Sequence, residues 1–403
     1  RHLATWQPWM TWQISWASSA LVIILASPGS SSLPIRASLM QESFDIHSST
    51  GSYHVVVGEN LLAGVIADYP DAIFIVDAHL TEFLPKSISK LILIEANESS
   101  KSLERMPEII LKMREAGANR ASHMVAIGGG VIQDIATFTA SIYMRGIPWT
   151  YLPTTLLGMT DSCIGGKSSI NIGGYKNIVG NFYPPKDVRI DMIFIKTLNT
   201  DQVVGGFYEA AKICYARGYE NFLSYLAESP GYPISVGNAQ RVIMLALKTK
   251  KWFIETDEFD QKERLLLNFG HTFGHAIEAG TDFGISHGLA VGVGMVVAVK
   301  YAKQTGLLSE QGAARTAHLI DHVKSIMGEG LVSVLAMPPS IDLSMVMEKF
   351  DNDKKHRTNA YRVVLPKADG GLELISVPRT DTVRNQIRVA YAAGLKDIAY
   401  PGF

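Results

Sequence analysis

Met124-Val125-Ala126-Ile127-Gly128-Gly129-Gly130-Val131-Ile132-Gln133-Asp134 is the stretch that decides the fold. Four apolar residues read as a buried strand. Three glycines follow, and a helix begins near Val131. Consecutive glycines let a backbone come close to a ligand, and a helix N-terminus offers free N–H groups to an anion. The stretch therefore reads either as a tight structural turn or as a pyrophosphate cradle for a dinucleotide. It is not the G-x-G-x-x-G fingerprint. Asp134 either bonds a ribose or nicotinamide group or caps a local turn.

Outward from this point the pattern repeats. Ala72–Val76 and Leu91–Ile94 are further short apolar runs suited to parallel strands. Ser102–Ala116 carries Leu103, Met106, Ile110 and Met113 at helical spacing. Phe44–Ile46 and Tyr53–Val57 flank Thr50-Gly51 and read as a hairpin. Strands alternating with helices imply an open, doubly wound sheet. After about Thr197 the character changes. Val203–Arg217, Asn238–Thr256, Leu265–Ala279 and Gly288–Gly306 all read as helices, with a late hairpin at Arg362–Leu365 and Leu372–Val377. The expected fold class is α/β plus α: a doubly wound, Rossmann-like domain over residues 40–196, then a mainly helical domain over 197–403. The site is expected in the cleft between them.

The helical half holds the most specific chemistry. His271 and His275 in Asn268-Phe269-Gly270-His271-Thr272-Phe273-Gly274-His275 are four apart, so a helix puts both rings on one face. His287 follows after a Gly-containing connection that allows it to fold back. Three imidazoles that converge are raw material for a zinc site. Glu209 and Lys212 are three apart and share a helix face. They form either a surface ion pair worth a few tenths of a kcal/mol or an interior pair, which the apolar flanks favour. Gly165-Gly166-Lys167-Ser168-Ser169-Ile170-Asn171 and Lys176-Asn177 form a loop rich in lysine, amide and hydroxyl groups, equipment for a carboxylate, phosphate or hydroxyl-rich ligand. It is not a Walker A loop, because Asp161 stands where that spacing needs glycine.

Bulk numbers exclude other classes. The 403 residues are 47% apolar and 19% charged, with net charge −1. That balance favours neither nucleic acid nor a membrane surface as partner. Cys163 and Cys214 are the only cysteines, too few for a disulfide framework, so a reducing, cytoplasmic setting is expected. Residues 1–39 contain no Asp, Glu or Lys and hold four of the six tryptophans. They resemble a weak signal or transit segment. The simpler reading is extraneous sequence ahead of a cytosolic enzyme that starts near Met40, and the fold is read without them.

Several separated motifs, in order, resemble the 3-dehydroquinate synthase family of sugar phosphate cyclases over roughly residues 53–377. They are Gly128-Gly129-Gly130 with Asp134; Tyr143-Met144-Arg145-Gly146; Pro153-Thr154-Thr155-Leu156-Leu157; Asp161 through Lys167; Lys176-Asn177; Glu209-x-x-Lys212; Leu267–Glu278; His287-Gly288; and Asp353-Lys354-Lys355. The resemblance implies bound NAD and a divalent metal, zinc or cobalt, held by Glu209, His271 and His287. On the NAD side it implies Asp77, Glu98, Lys101, Gly129, Gly130, Asp134, Thr154, Thr155 and Thr197, shared with Asp161, Lys167 and Lys176. Its catalytic set is Lys167, Lys212, Lys250, Arg264, Asn268 and His275. Its substrate contacts add Arg145, Asp161, Lys176, Asn177, and Lys354 or Lys355. Arg145 matches an arginine lent to a neighbouring subunit, which implies a homodimer.

The implied activity is cyclisation of 3-deoxy-arabino-heptulosonate 7-phosphate to 3-dehydroquinate with loss of phosphate. NAD is reduced and reoxidised within one turnover. Two positions depart from the pattern: Tyr175 stands where glycine is usual, and His79 aligns where asparagine is common. Relatives acting on sedoheptulose 7-phosphate alter the second half of the histidine motif. This chain keeps Gly274-His275 together with Lys250, Arg264 and Asn268, which favours the carboxylated substrate. The rival readings are a sedoheptulose 7-phosphate cyclase, a metal-dependent NAD alcohol or polyol dehydrogenase, and a non-enzymatic nucleotide binder. The four lysines at 167, 176, 212 and 250 argue against the dehydrogenase.

Overall fold

A computed structural model describes residues 40–173, 175–229, 235–327, 341–353 and 356–399. The expectations for residues 1–39, Lys354 and Lys355 lie outside the described residues. Residues 39–403 form one compact unit.

The chain opens with the expected hairpin, β1 (Glu42–Ser48) and β2 (Gly51–Gly58). Helix α1 (Leu61–Asp68) leads into β3 (Ile73–Asp77), β4 (Leu91–Ile94), α2 (Met106–Glu115), β5 (Met124–Gly128) and α3 (Gly130–Ile142). β6 (Trp149–Pro153), the small hairpin β7 (Ile170–Ile172) and β8 (Tyr175–Val179), and β9 (Asp187–Asp191) complete this half. The main sheet runs β1-β2-β9-β6-β5-β3-β4. All of its neighbours are parallel except β1 and β2. Its strands bury Val, Ile, Phe, Tyr and Trp on both faces, as a sheet covered by helices requires. After β3 the chain moves to β4 on one side and then returns to β5 on the other. The carboxyl ends of β3 and β5 therefore frame a topological switch point, the place where open α/β sheets take ligands. Gly128-Gly129-Gly130 lies there.

From residue 200 onward the elements are helices plus one hairpin: α4 (Thr200–Arg217), α5 (Tyr219–Glu228), α6 (Val236–Thr256), α7 (His271–Gly280), α8 (His287–Gln304), α9 (Glu310–Ser325), α10 (Leu343–Asp351), β10 (Ala360–Pro366), β11 (Leu372–Pro378) and α11 (Asp381–Ala399). Asn199 caps α4 with a full capping box, its side chain accepting from the Gln202 N–H.

Two features position the site. α4 and α8 cross where Gly205 meets Gly288; a Cβ on Gly288 would fall 2.6 Å from the Gly205 Cα. That approach sets Glu209, one turn along α4, beside His287, the first residue of α8. The second is a break. The sequence predicts one helix over Leu265–Ala279, but Gly270 at φ +76 divides it into a 3-10 turn, Glu263–Asn268, and α7. Only glycine takes this conformation without strain. The break makes His271 the first residue of its helix and lets Asn268 and Arg264 leave the helix axis.

Candidate active site

Glu209 lies in the middle of α4 and is 1% exposed. Its Oε2 accepts from Lys212 Nζ at 2.5 Å. Its Oε1 is buried and has no hydrogen-bond partner among the described residues. That oxygen lies 3.6 Å from His271 Nε2 and 3.5 Å from His287 Nε2. A buried carboxylate oxygen left unpaired costs on the order of 1–3 kcal/mol, so the site is built to receive something positive. One ring nitrogen from each of His271, His275 and His287 lies within 4.8 Å of the other two. His287 Nδ1 is 3.1 Å from Glu278 Oε2. A carboxylate behind an imidazole fixes its tautomer and turns the other nitrogen toward a ligand. Burial works against a charge on His287, but the two carboxylates outweigh it and push its pKa up to about 9. A proton there answers the negative charge that a divalent cation would otherwise answer. The donor set, one carboxylate and two imidazoles with Nε2 facing it, fits zinc or cobalt. His275 stands on the more open side, 37% exposed in its side chain, with Nδ1 4.0 Å from the Asp353 carboxylate.

Beneath these groups runs a buried chain of alternating charge. Lys212 Nζ also donates to Asp161 Oδ2 at 3.1 Å. Lys250 Nζ is 2.5 Å from Asp161 Oδ1 and donates to the Asp161 and Ile164 carbonyls at 2.6 and 3.2 Å. Burial raises the Asp161 pKa, but the two ammonium groups prevail and hold its carboxyl well below the usual range. Lys212 is pushed up, because Asp161 and Glu209 outweigh its burial. Lys250, Lys167 and Arg264 are all pushed down, first by burial; the Arg264 charge adds to the effect on both lysines. Cations crowded so closely want an anion. One is supplied internally: Lys167 Nζ donates to Asp260 Oδ2 at 2.6 Å. Asp260 sits in a loop that the Asp257 carboxylate holds by accepting the Gln261, Lys262 and Arg264 N–H groups. Arg264 donates to the Glu258 carbonyl, and Asn268 Nδ2 donates to the Leu265 carbonyl at 3.0 Å.

A second network lies at the switch point. Lys101, 7% exposed, donates to Asp134 Oδ2 at 3.1 Å and Asn177 Oδ1 at 2.9 Å, with Glu98 3.5 Å away. The Ser169 N–H donates to Asp134 Oδ1 at 2.9 Å. Burial pushes the Asp134 carboxyl up to about 6, against the pull of Lys101. Asn171 Nδ2 donates to Glu98 Oε1 at 2.8 Å, and Lys176 Nζ is 3.8 Å from the same oxygen. The lysine-rich stretch expected as a loop is thus partly the β7–β8 hairpin, pinned to this network. Gly129 faces Thr155: a Cβ there would fall 2.8 Å from the Thr155 Cγ2. Gly130 begins α3 with open space at its Cβ position. Thr154 is buried next to them, its N–H donating to the Gly128 carbonyl at 3.1 Å. Asp77 ends β3 and accepts from the His79 N–H at 3.1 Å. Arg145, at φ +74, and Thr197 stand on exposed turns, and the structure does not bring them into either network.

The chain matches family models described as 3-dehydroquinate synthase N-terminal over residues 91–205 and 3-dehydroquinate synthase C-terminal over residues 206–356. The chain belongs to the 3-dehydroquinate synthase family. It is 32% identical over 345 residues to the 3-dehydroquinate synthase of Dictyoglomus turgidum, spanning 83% of this chain and 94% of that one. It is 36% identical over 282 residues to that of Ruminiclostridium cellulolyticum, spanning 69% and 75%. In fold it is similar to 2-deoxy-scyllo-inosose synthase, solved with carbaglucose-6-phosphate, NAD+ and Co2+ (TM-score 0.72, 22% identity, 86% of this chain and 100% of that one). It is also similar to 2-epi-5-epi-valiolone synthase from Streptomyces hygroscopicus, solved with NAD+ and Zn2+ (TM-score 0.67, 24% identity, 85% and 97%).

Two residues of this family member's site escaped the sequence reading. Glu278 continues the stripe His271, His275, Glu278 at helical spacing, so the helix face itself was a usable signal. Asp260 had none: it belongs to an acidic loop, and nothing local tells which carboxylate reaches Lys167.

Proposed function

We propose that this chain is a phosphate-eliminating carbon–oxygen lyase that cyclises 3-deoxy-arabino-heptulosonate 7-phosphate to 3-dehydroquinate. The observation that carries the reading is the Glu209 oxygen, unpartnered among the described residues, converging on His271 and His287 beside Asp161 and the buried Lys212 and Lys250. In this reading Glu209, His271 and His287 hold one divalent cation, and the switch-point network, Lys176 included, holds NAD together with Gly129, Gly130, Asp77, Thr154 and Thr155. When bound, NAD takes and returns a hydride and the cation polarises a substrate oxygen.

The chain's own groups do the rest. His275, on the more open side of the cluster, would face the substrate beside the cation that Glu209, His271 and His287 would hold. Glu278 keeps the His287 proton on Nδ1, so Nε2 offers its lone pair to the site. Lys212 neutralises Glu209 and Asp161 together and fixes both carboxylates. Lys250, Arg264 and Lys167 supply the positive wall that holds the substrate's carboxylate and phosphate, with Asn268, His275, Lys176, Asn177 and one of Lys354 and Lys355 completing its contacts. Asp260 holds Lys167 until an anion replaces it.

The other site assignments belong to the same reading. The cofactor half runs over 40–196 and the metal half over 197–403. Arg145, exposed after α3, serves the site of a second copy in a homodimer. The enzyme works in the cytoplasm; among the described residues no helix is long and apolar enough to cross a membrane. The test is incubation with 3-deoxy-arabino-heptulosonate 7-phosphate and, separately, sedoheptulose 7-phosphate, with mass spectrometry of the products. Phosphate release from the first without net change at 340 nm is expected. Turnover of sedoheptulose 7-phosphate alone overturns the substrate assignment, and a stoichiometric change at 340 nm points to a dehydrogenase.

A further inference from the structure

The loop between α7 and α8 is strained, and its strain has a visible object. α7 ends in a cap in which the Thr281 N–H donates to the Ile277 carbonyl and the Phe283 N–H donates to the Glu278 carbonyl at 2.9 Å. The second bond is the six-to-one contact of a Schellman motif, and Asp282 at φ +47 is the left-handed residue that motif needs. Phe283 at φ +62 is not required by the motif. A bulky residue in that region is a true outlier, and such outliers gather at clamps and switches.

The side chain does not do what this cap usually asks of it. A hydrophobic residue after the cap ordinarily packs back on the last turn of its helix. The residue it would pack on here is Glu278, whose carboxylate is turned to His287. Phe283 stays 51% exposed and places its ring under Lys176, the ammonium 3.4 Å from the ring centroid. An ammonium over an aromatic face at that distance is a cation–π contact. Lys176 lies on β8, in the hairpin that Glu98, Lys101 and Asp134 pin to the switch point. The contact therefore joins the cofactor-side hairpin to the loop between Glu278 on α7 and His287 on α8.

We propose that Phe283 is a positioning residue: its ring holds the Lys176 ammonium across the mouth of the site, so that the hairpin is already set when a dinucleotide pyrophosphate arrives. The proposal rests on the reading of Lys176 as a cofactor contact. Its chemistry needs an aromatic face and not merely apolar bulk. Phe283→Tyr keeps the face, Phe283→Leu keeps bulk without it, and Lys176→Met removes the cation.

The test is a double-mutant cycle on the full chain, reading the NAD dissociation constant by calorimetry and kcat at saturating NAD. Phe283→Leu is expected to weaken NAD binding about two- to fivefold, the worth of an exposed cation–π contact, with kcat within about twofold of the parent. Phe283→Tyr is expected to bind as the parent does. In the Lys176→Met background, Phe283→Leu is expected to change nothing further. Equal weakening in both backgrounds, or a Tyr variant as weak as the Leu variant, overturns the proposal. A protein that binds NAD with this pattern but cyclises neither sugar phosphate leaves the latch standing and overturns the activity. A protein that binds no NAD overturns both.

Discussion

Lys212→Met puts the buried charge chain to its hardest test. Lys212 is 2% exposed and holds two carboxylates, Glu209 Oε2 at 2.5 Å and Asp161 Oδ2 at 3.1 Å. Methionine has nearly the same length and no charge, so packing changes little. Asp161 keeps Lys250 at 2.5 Å. Glu209 loses its ammonium partner and, among the described residues, keeps the two imidazoles beyond 3.4 Å. Removing one member of a buried pair leaves an uncompensated charge and costs about 3–5 kcal/mol. The saved desolvation of the lysine is already inside that range. Urea unfolding of the metal-free chain at pH 7, extrapolated linearly, measures it.

The same chain supplies its own control. Lys212→Met with Glu209→Gln leaves Asp161 and Lys250 as a balanced pair, so the double variant should be more stable than Lys212→Met alone. The pH window follows from the shifts. Lys212 is raised, so its stabilisation is complete below the unfolded lysine value near 10.4 and is lost only as pH rises past its folded value. Asp161 is depressed, so its stabilisation is present above about 3.9 and is lost as pH falls through its folded value. The loss should therefore be flat between about pH 5 and 9. A Lys212→Met chain within about 1 kcal/mol of the parent, or a double variant no more stable than the single, refutes the interior-pair reasoning.

Three further outcomes follow from the same geometry. His271→Ala removes one of the two imidazoles facing the orphaned Glu209 oxygen, so divalent metal content after dialysis should fall below one tenth of the parent's, about the tenfold or larger loss expected for a ligand; full occupancy would remove His271 from the donor set. Arg264→Ala takes a 3% exposed guanidinium from the positive wall, and kcat/KM for the carboxylated sugar phosphate should drop by at least about a hundredfold, the scale of a lost charge-assisted bond near 3 kcal/mol. Burial holds the imidazole of His322, which pairs with the Tyr225 hydroxyl at 2.8 Å, down to about 4. The unfolded chain then binds the extra proton between about 4 and 6.5, so stability falls on acidification through that window, and His322→Phe should lower that slope without abolishing it, since half-buried His123 is also held down to about 4.

What the sequence made legible depended on whether the signal was local. β4 and the β1–β2 and β10–β11 hairpins were readable because their apolar runs end in turn residues, and α4, α6 and α8 because an apolar period persists over four or more turns. The histidine cluster was readable because two of its three members, His271 and His275, share one helix face. β9 was not: Asp187-Val188-Arg189-Ile190-Asp191 looks like a polar connection. It is a buried central strand only because Tyr69 and Thr150 donate to the Asp187 carboxylate, and Arg189 pairs with it. Tyr69 and Thr150 lie on α1's exit and on β6, so no window along the chain contains them. The broken helix at Gly270 shows the same limit from the other side. Its hydrophobic period continues across the break, and a single glycine inside a helical run is ordinarily tolerated. What forbids continuation is α8: a Cβ at Gly270 would fall 2.7 Å from the Val291 carbonyl. The close approach that ends one helix thus also brings His271 to Glu209. Packing partners distant in sequence, more than local propensity, decide both where this site's helices stop and which of its charges are paired.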